Sequence, residues 1–213
     1  MPVFQSLSEI SLFNAIVYQV TEPLDFFRDK IELSDSEMSY FSAKRHPERQ
    51  KESYAVRYAL HLALNKQNRV VLETDLYGKP YLVGSESFIS LSHTSRYVAA
   101  VVSPYPCGID IQRFDTKILN LGAKFLAEKE LGDIPPVSMV SFLTHCWAIK
   151  EAAYKTFGKK GLEFNKEIEI QEIDFREGSW ESKVRVQKND EDFKYQVKGW
   201  TSEAFVLAIC LEI

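Results

Sequence analysis

The chain has 213 residues, of which 45% are hydrophobic and 26% charged, enough apolar material for a substantial core under an ordinary globular surface. A formal net charge of −4 excludes a general nucleic-acid or membrane-surface binder, because both need a surplus of Lys and Arg. No apolar run reaches the roughly 18–20 residues of a spanning helix, and the opening MPVFQSLSEISLF lacks a basic segment followed by an apolar one. Cys107, Cys146 and Cys210 have no metal-ligand spacing and read as buried free thiols, so a cytoplasmic location is expected, with neither a membrane nor a nucleic acid as partner.

In chain order, residues 10–20 (ISLFNAIVYQV) predict a strand and FFRDKIEL a short helix. LSDSEMSYFSAK opens a helix with a capping box, Ser34 with Glu37 three residues on. QKESYAVRYALHLALNK follows as a stronger helix. KPYLVG, SFISLS, YVAAVVS and GIDIQ read as strands, and ILNLGAKFLAEKEL and VSFLTHCWAIKEAAYKTFG as helices separated by a Pro-Pro break. From EIEIQEIDF to FVLAICLEI the tail reads as strands divided by Gly and Asn-Asp turns.

The two halves match weakly but in the same order. YFSAKRH pairs with KFLAEKE, YAVRYALHLAL with CWAIKEAAYKTF, and HTSRYVAAVVS with WTSEAFVLAIC, which sets Arg57 opposite Lys150. An α+β fold is expected, built of two similar α+β halves, residues 1–105 and 106–213, about a pseudo-twofold axis with a ligand cleft between them. A duplicated chain that already holds both halves is expected to be a monomer.

Several stretches carry chemistry. On a helix Trp147, Lys150, Glu151, Tyr154 and Lys155 share a face, beside an apolar stripe of Phe142, Cys146, Ile149, Ala153 and Phe157. Lysines suit phosphate oxygens, and a carboxylate suits a hard divalent cation that bridges phosphates. The plain alternative is a Glu151–Lys155 surface pair worth about 0.2–0.5 kcal/mol. In GIDIQ, Asp110 and Gln112 fall on one strand face, either as two oxygen ligands or as a wet edge. Ser92 and His93 follow an apolar strand without a hydrolase elbow, which leaves a phosphate contact or a capped turn. Lys44, Arg45, His46, Arg49 and Arg57 form the one basic concentration, read as an anion site or a solvated helix face. YGKP, Tyr77 to Pro80, is a tight turn open to a flat ligand or to nothing.

Taken in order, YGKPYL, FISLSHTSRYVAAVVS, GIDIQ and WAIKEAAYKTFGKKGLEF resemble the Sfp-type 4′-phosphopantetheinyl transferases over about residues 40–165. The WxxKExxxK helix is the most specific element. The resemblance implies transfer of 4′-phosphopantetheine from coenzyme A to a serine hydroxyl of an apo acyl or peptidyl carrier protein, in fatty-acid, polyketide or peptide synthesis, releasing 3′,5′-ADP. It implies Mg²⁺, or Mn²⁺, on Asp110 and Glu151 with Gln112 as a third ligand. Lys155 falls on the pyrophosphate and Lys150 assists it. His93 and Ser92 fall on the 3′-phosphate, with Lys44, Arg45, Arg49 and Arg57 as further phosphate contacts and Lys79 and Pro80 beside the adenine. Catalysis then rests on Asp110, Glu151 and Lys155, with Glu151 as the base for the serine. Two positions depart from the family pattern: Gln112 stands where a glutamate is usual, and FGKKGL has an extra lysine. The second reading is a coenzyme A or nucleotide binding protein that has lost its chemistry with that glutamate.

Overall fold

A computed structural model describes residues 4–9, 12–42, 46–65, 70–131 and 138–212, and the chain divides into two compact units, Met1–Pro104 and Tyr105–Ile213. In the first unit an antiparallel sheet runs β1 (Phe4–Glu9), β2 (Phe13–Gln19), β6 (Tyr97–Ser103), β5 (Phe88–Thr94) in spatial order. A two-stranded hairpin, β3 (Leu72–Thr74) with β4 (Pro80–Leu82), accompanies it. Helix α3 (Pro47–Ala63) lies on β6 and β2, burying Ala55, Ala59 and Leu60 against Ile16, Val98 and Ala100. Alanines along that face let the helix settle close to the sheet, and about 25 cal/mol per Å² of apolar area removed from water supplies the drive. Short α1 (Leu24–Arg28) packs on α3 through Phe27.

Helix α2 (Asp35–Ser42) begins as its sequence dictates. The Ser34 amide donates to Glu37 at 2.9 Å and the Glu37 amide to Ser34 Oγ at 3.2 Å, so two donors that a helix start leaves orphaned are satisfied reciprocally. Glu37 also pairs with the buried Arg57.

The second unit is a five-stranded antiparallel sheet in the order β7 (Cys107–Gln112), β11 (Val206–Leu211), β10 (Glu191–Thr201), β9 (Ser179–Lys188), β8 (Ile168–Arg176). Helix α5 (Met139–Phe157) lies across β7 and β11, and Ala148, Ile149, Ala152 and Ala153 are buried there against Val206 and Ala208. The β9–β10 turn is the Asn-Asp pair read from the sequence, with φ of 49° at Asn189 and 66° at Asp190, the left-handed pair that suits a two-residue hairpin. Short α6 (Phe164–Glu167) leads into β8.

Each unit repeats one arrangement. Its first long strand pairs with its last, the last pairs with the one before, and the long helix covers the seam (β2, β6, β5 with α3; β7, β11, β10 with α5). The correspondence extends to the buried cations. Arg57 pairs with Glu37, twenty residues upstream, and Lys150 with Glu130, again twenty upstream. Glu130 Oε2 accepts from the Ala127 amide at 2.7 Å, the same reach back across three residues that Glu37 makes to Ser34.

Two expectations change. Residues 4–9 form a strand that the sequence reading left unassigned. Residues 118–131 are not one helix: 3-10 turns at Thr116–Asn120 and Glu128–Leu131 flank the four-residue α4 (Gly122–Phe125). Glu130 explains the break. Its carboxylate takes the Ala127 amide, Lys150 and the Ile170 amide, and a continuous helix would commit the Ala127 amide to its own ladder. The Pro-Pro break lies outside the described residues.

Candidate functional site

The chemistry-bearing residues of the second unit meet because of one glycine. A Cβ at Gly108 would lie 2.0 Å from the Ala152 carbonyl oxygen and 2.7 Å from the Thr156 amide, so β7 and α5 touch main chain to main chain. Two residues along β7, Asp110 then comes within 2.7 Å of Lys155 Nζ, which also donates to the Ile109 carbonyl at 2.8 Å. Asp110 is buried, and the lysine head remains partly exposed. Gln112, on the same face, donates its amide to Asp110 Oδ2 at 3.0 Å. Both oxygens of the aspartate are thus oriented from outside the strand ladder.

Glu151 completes the group from α5. Burial pushes its carboxyl up to about 7, the negative charge of Asp110 adds to the rise, and Lys155 opposes it. When both carboxyls are ionised, the site holds more negative charge than the Lys155 ammonium neutralises. Two oxygen-donor carboxylates in that condition fit a hard divalent cation, which proteins hold through one or two carboxylates with ligand phosphates and waters supplying the rest. Among the described residues no group of three or more His, Cys, Asp and Glu forms a closed metal cage. An open donor set of this kind leaves coordination positions for oxygens other than the protein's.

Lys150, read from the sequence as a phosphate contact, serves the fold instead. Its head has no exposed surface and donates to Glu130 Oε2 at 2.7 Å, the Phe164 carbonyl at 2.9 Å and the Ile168 carbonyl at 2.6 Å. Three donors meet three protein oxygens, which leaves none for a ligand. Burial pulls its ammonium below the ordinary lysine value, against the pull of Glu130. Arg57 is likewise buried, held by Glu37 and donating to the Val70 carbonyl at 3.3 Å. The α5 residues were expected to share one polar face. Packing divides them, with Lys150 turned inward and Glu151 and Lys155 at the partly open edge.

In the first unit Ser92 is buried near the end of β5 and His93 is exposed beside it. His93 Nδ1 stands 3.6 Å from Glu52 Oε2 on α3, and Arg49 Nη1 is 3.6 Å from the same oxygen. Glu52 is a residue that the sequence reading missed. Its only signal was its place on α3, one turn after Arg49. The YGKP turn is closed by Asp75, which accepts from the amides of Tyr77 and Lys79 at 2.9 Å each, with Gly78 at φ 89° and Pro80 opening β4. Lys44 and Arg45 lie outside the described residues. His46 is exposed at the start of α3.

Cys107, Cys146 and Cys210 are free and buried, and burial, with the charge of Glu130, pushes the Cys146 thiol up to about 12. Among the described residues no helix is long and apolar enough to cross a membrane.

Residues 106–210, from β7 through α5 to β11, match the model of the 4′-phosphopantetheinyl transferase superfamily. At this level the resemblance to the Sfp-type enzymes read from the sequence is borne out. Among curated proteins, the chain is similar to the 4′-phosphopantetheinyl transferase gsp of Aneurinibacillus migulanus, 32% identical over 108 residues, 49% of this chain and 45% of that protein. It is similar to psf-1 of Bacillus pumilus, 29% over 109 residues, 49% of this chain and 47% of the relative. The third is Sfp of Bacillus subtilis strain 168, 28% over 90 residues and 40% of each chain. The chain thus spans less than half the length of the curated relatives it matches.

Proposed function

We propose that this chain is a 4′-phosphopantetheinyl transferase that takes coenzyme A and an apo carrier protein as substrates. The observation that carries the reading is the Asp110–Lys155–Glu151 constellation, which α5 and β7 assemble inside the stretch that matches the superfamily. In the proposed reaction the carrier serine oxygen forms a bond to the pantetheine-side phosphorus of the pyrophosphate. The bond from that phosphorus to the bridging oxygen breaks, and 3′,5′-ADP leaves with the electron pair.

Lys155, 2.7 Å from Asp110 and partly open to solvent, would balance the pyrophosphate as negative charge develops on the leaving group. Asp110 and Glu151 would hold Mg²⁺ or Mn²⁺, which supplies charge neutralisation at the bridging phosphates. Gln112 would orient Asp110 for that cation through its amide hydrogen bond to Oδ2. Glu151 is the candidate to accept the serine proton. Ser92, His93 and Arg49 serve the 3′-phosphate in this reading, Lys44 and Arg45 add charge, and Lys79 and Pro80 flank the adenine. A cytoplasmic monomer is the state that accompanies it, and three buried thiols suit a reducing compartment.

The test is intact-protein mass spectrometry of several apo carrier proteins incubated with the chain, coenzyme A and Mg²⁺. A phosphopantetheine increment on the carrier serine is expected. If the chain binds coenzyme A and no carrier gains mass, the alternative of a binding protein that has lost its chemistry replaces this one.

A further inference from the structure

The turn that ends α5 carries two lysines that the site described above does not use. Gly158 closes the helix in the left-handed conformation, φ 73°, with its amide donating to the Tyr154 carbonyl at 3.1 Å, and Gly161 is left-handed again at φ 89°. Between these glycines stand Lys159 and Lys160, both exposed. The turn is fastened on its far side. The Gly161 carbonyl accepts from Lys188 Nζ at 2.6 Å, Leu162 is buried in the core of the second unit, and the Glu163 amide donates to Glu167 at 2.6 Å. The Lys159 ammonium lies 5.7 Å from the centre of the Phe157 ring.

Neighbouring lysines are neutralised: Lys166 pairs with Glu163 at 2.6 Å, Lys188 with Glu167 at 2.8 Å and Lys155 with Asp110 at 2.7 Å. Lys159 and Lys160 make no ion pair among the described residues, in a chain whose net charge is −4. Two uncompensated ammonium groups on a turn of fixed shape attract an anion. Their position favours a large partner over the pyrophosphate of coenzyme A. Phe157, under Lys159, packs on Phe193 of β10 with ring centres 5.4 Å apart, whereas Lys155 reaches β7 through the Ile109 carbonyl. Strand β11 stands between β7 and β10, which at about 4.8 Å per strand sets the two contacts about 10 Å apart. A carrier protein that offers its serine at Asp110 and Glu151 covers more than that. An ordinary interface of about 800 Å² per partner is a disc of about 16 Å radius, and the turn falls under it.

We propose that the turn from Gly158 to Gly161 is a docking contact for the carrier protein, with Lys159 and Lys160 receiving acidic side chains that flank its serine. The inference rests on the transferase reading above for the identity of the partner. Lysine suits the task, because a hydrated point charge on a flexible stem attracts a partner without demanding one fixed geometry. The two glycines and the Lys188 clamp place the charges, and the stems adapt. Rim charges of this kind act on association and its salt dependence, and leave the chemical step alone.

The experiment compares the full chain with two double variants, Lys159→Glu with Lys160→Glu and Lys159→Arg with Lys160→Arg. Fluorescence anisotropy reads the binding of an apo acyl carrier protein and an apo peptidyl carrier protein, calorimetry reads coenzyme A, and mass spectrometry of the carrier gives KM and kcat. The glutamate pair is expected to weaken carrier binding and raise the carrier KM about tenfold at about 50 mM salt, with the difference closing at about 500 mM. Its kcat and its affinity for coenzyme A are expected to match the parent, and the arginine pair to match it throughout. Unchanged carrier binding overturns the proposal, and so does a loss that is the same at both salt concentrations, the mark of a structural defect. Weaker coenzyme A binding in the glutamate pair assigns the lysines to that ligand and overturns it as well. If the wild type modifies no carrier, the transferase reading falls and the docking contact with it. Wild-type transfer that the glutamate pair leaves untouched removes the docking contact alone.

Discussion

Replacing Gly108 by alanine tests the geometry on which the site depends. The added methyl would lie 2.0 Å from the Ala152 carbonyl oxygen and 2.7 Å from both the Thr156 amide and its hydroxyl. Restoring even a 3.4 Å contact requires α5 and β7 to separate by about 1.4 Å there. Trimming a side chain cannot relieve the closest clash, because that atom is main chain. Overpacking of this kind costs about 1–3 kcal/mol. The same movement separates Asp110 from Lys155, now 2.7 Å apart, and a misplacement near 1 Å at a reacting centre lowers rate about 100-fold. Gly108→Ala should therefore unfold at lower urea concentration and, where still folded, lose transfer by about two orders of magnitude. A variant as stable and as active as the parent would refute the claim that close approach at Gly108 builds the site.

Three further outcomes follow from the same contacts. Without divalent cation, Glu151→Gln should be more stable than the parent at pH 8 by up to about 3 kcal/mol and equal to it near pH 4. The sign follows from a carboxyl raised from 4.5 to about 7 in the fold: its contribution is complete below 4.5 and is lost as pH climbs through 7. Urea midpoints in EDTA measure this, a pH-independent difference would sink it, and added Mg²⁺ should shrink the gap by stabilising the parent. Lys150→Met should cost about 3–5 kcal/mol because Glu130 is left buried without its cation, and a variant that denatures with the parent would show the pair to be dispensable. Gln112→Glu exchanges an amide donor at 3.0 Å from Asp110 for a like charge, so its melting temperature should fall in EDTA and recover with Mg²⁺, with transfer kept or raised. Loss of transfer in that variant would show that the amide itself is needed.

The sequence reading succeeded where local pattern and tertiary demand coincide. The Ser34–Glu37 box starts α2 because two residues settle it between themselves. The Asn189–Asp190 turn forms for the same reason. Asp110 and Glu151 could be paired because spacing puts each on a definite face, and Lys155 because it lies one turn beyond Glu151. Residues 118–131 read as a helix by periodicity and are broken by Glu130, whose partners lie 20 and 40 residues away. Glu52 escaped notice for the same reason, since the histidine beside it is 41 positions along the chain.

The internal repeat shows how the misread lysine could have been recognised. Its alignment set Arg57 opposite Lys150, and in each unit that position is a buried cation closed by a glutamate twenty residues upstream. A position that is cationic in both halves, of which only the second carries Asp110 and Glu151, cannot owe its charge to those two carboxylates. The common requirement is structural: a glutamate that caps its own chain segment needs a buried counter-ion from the long helix. Lys155 has no such counterpart, since the match to YAVRYALHLAL carries an uncharged residue there. The lysine that the repeat leaves unmatched is the one whose head remains partly open and touches Asp110, which is why Lys155, and not Lys150, is assigned to the ligand.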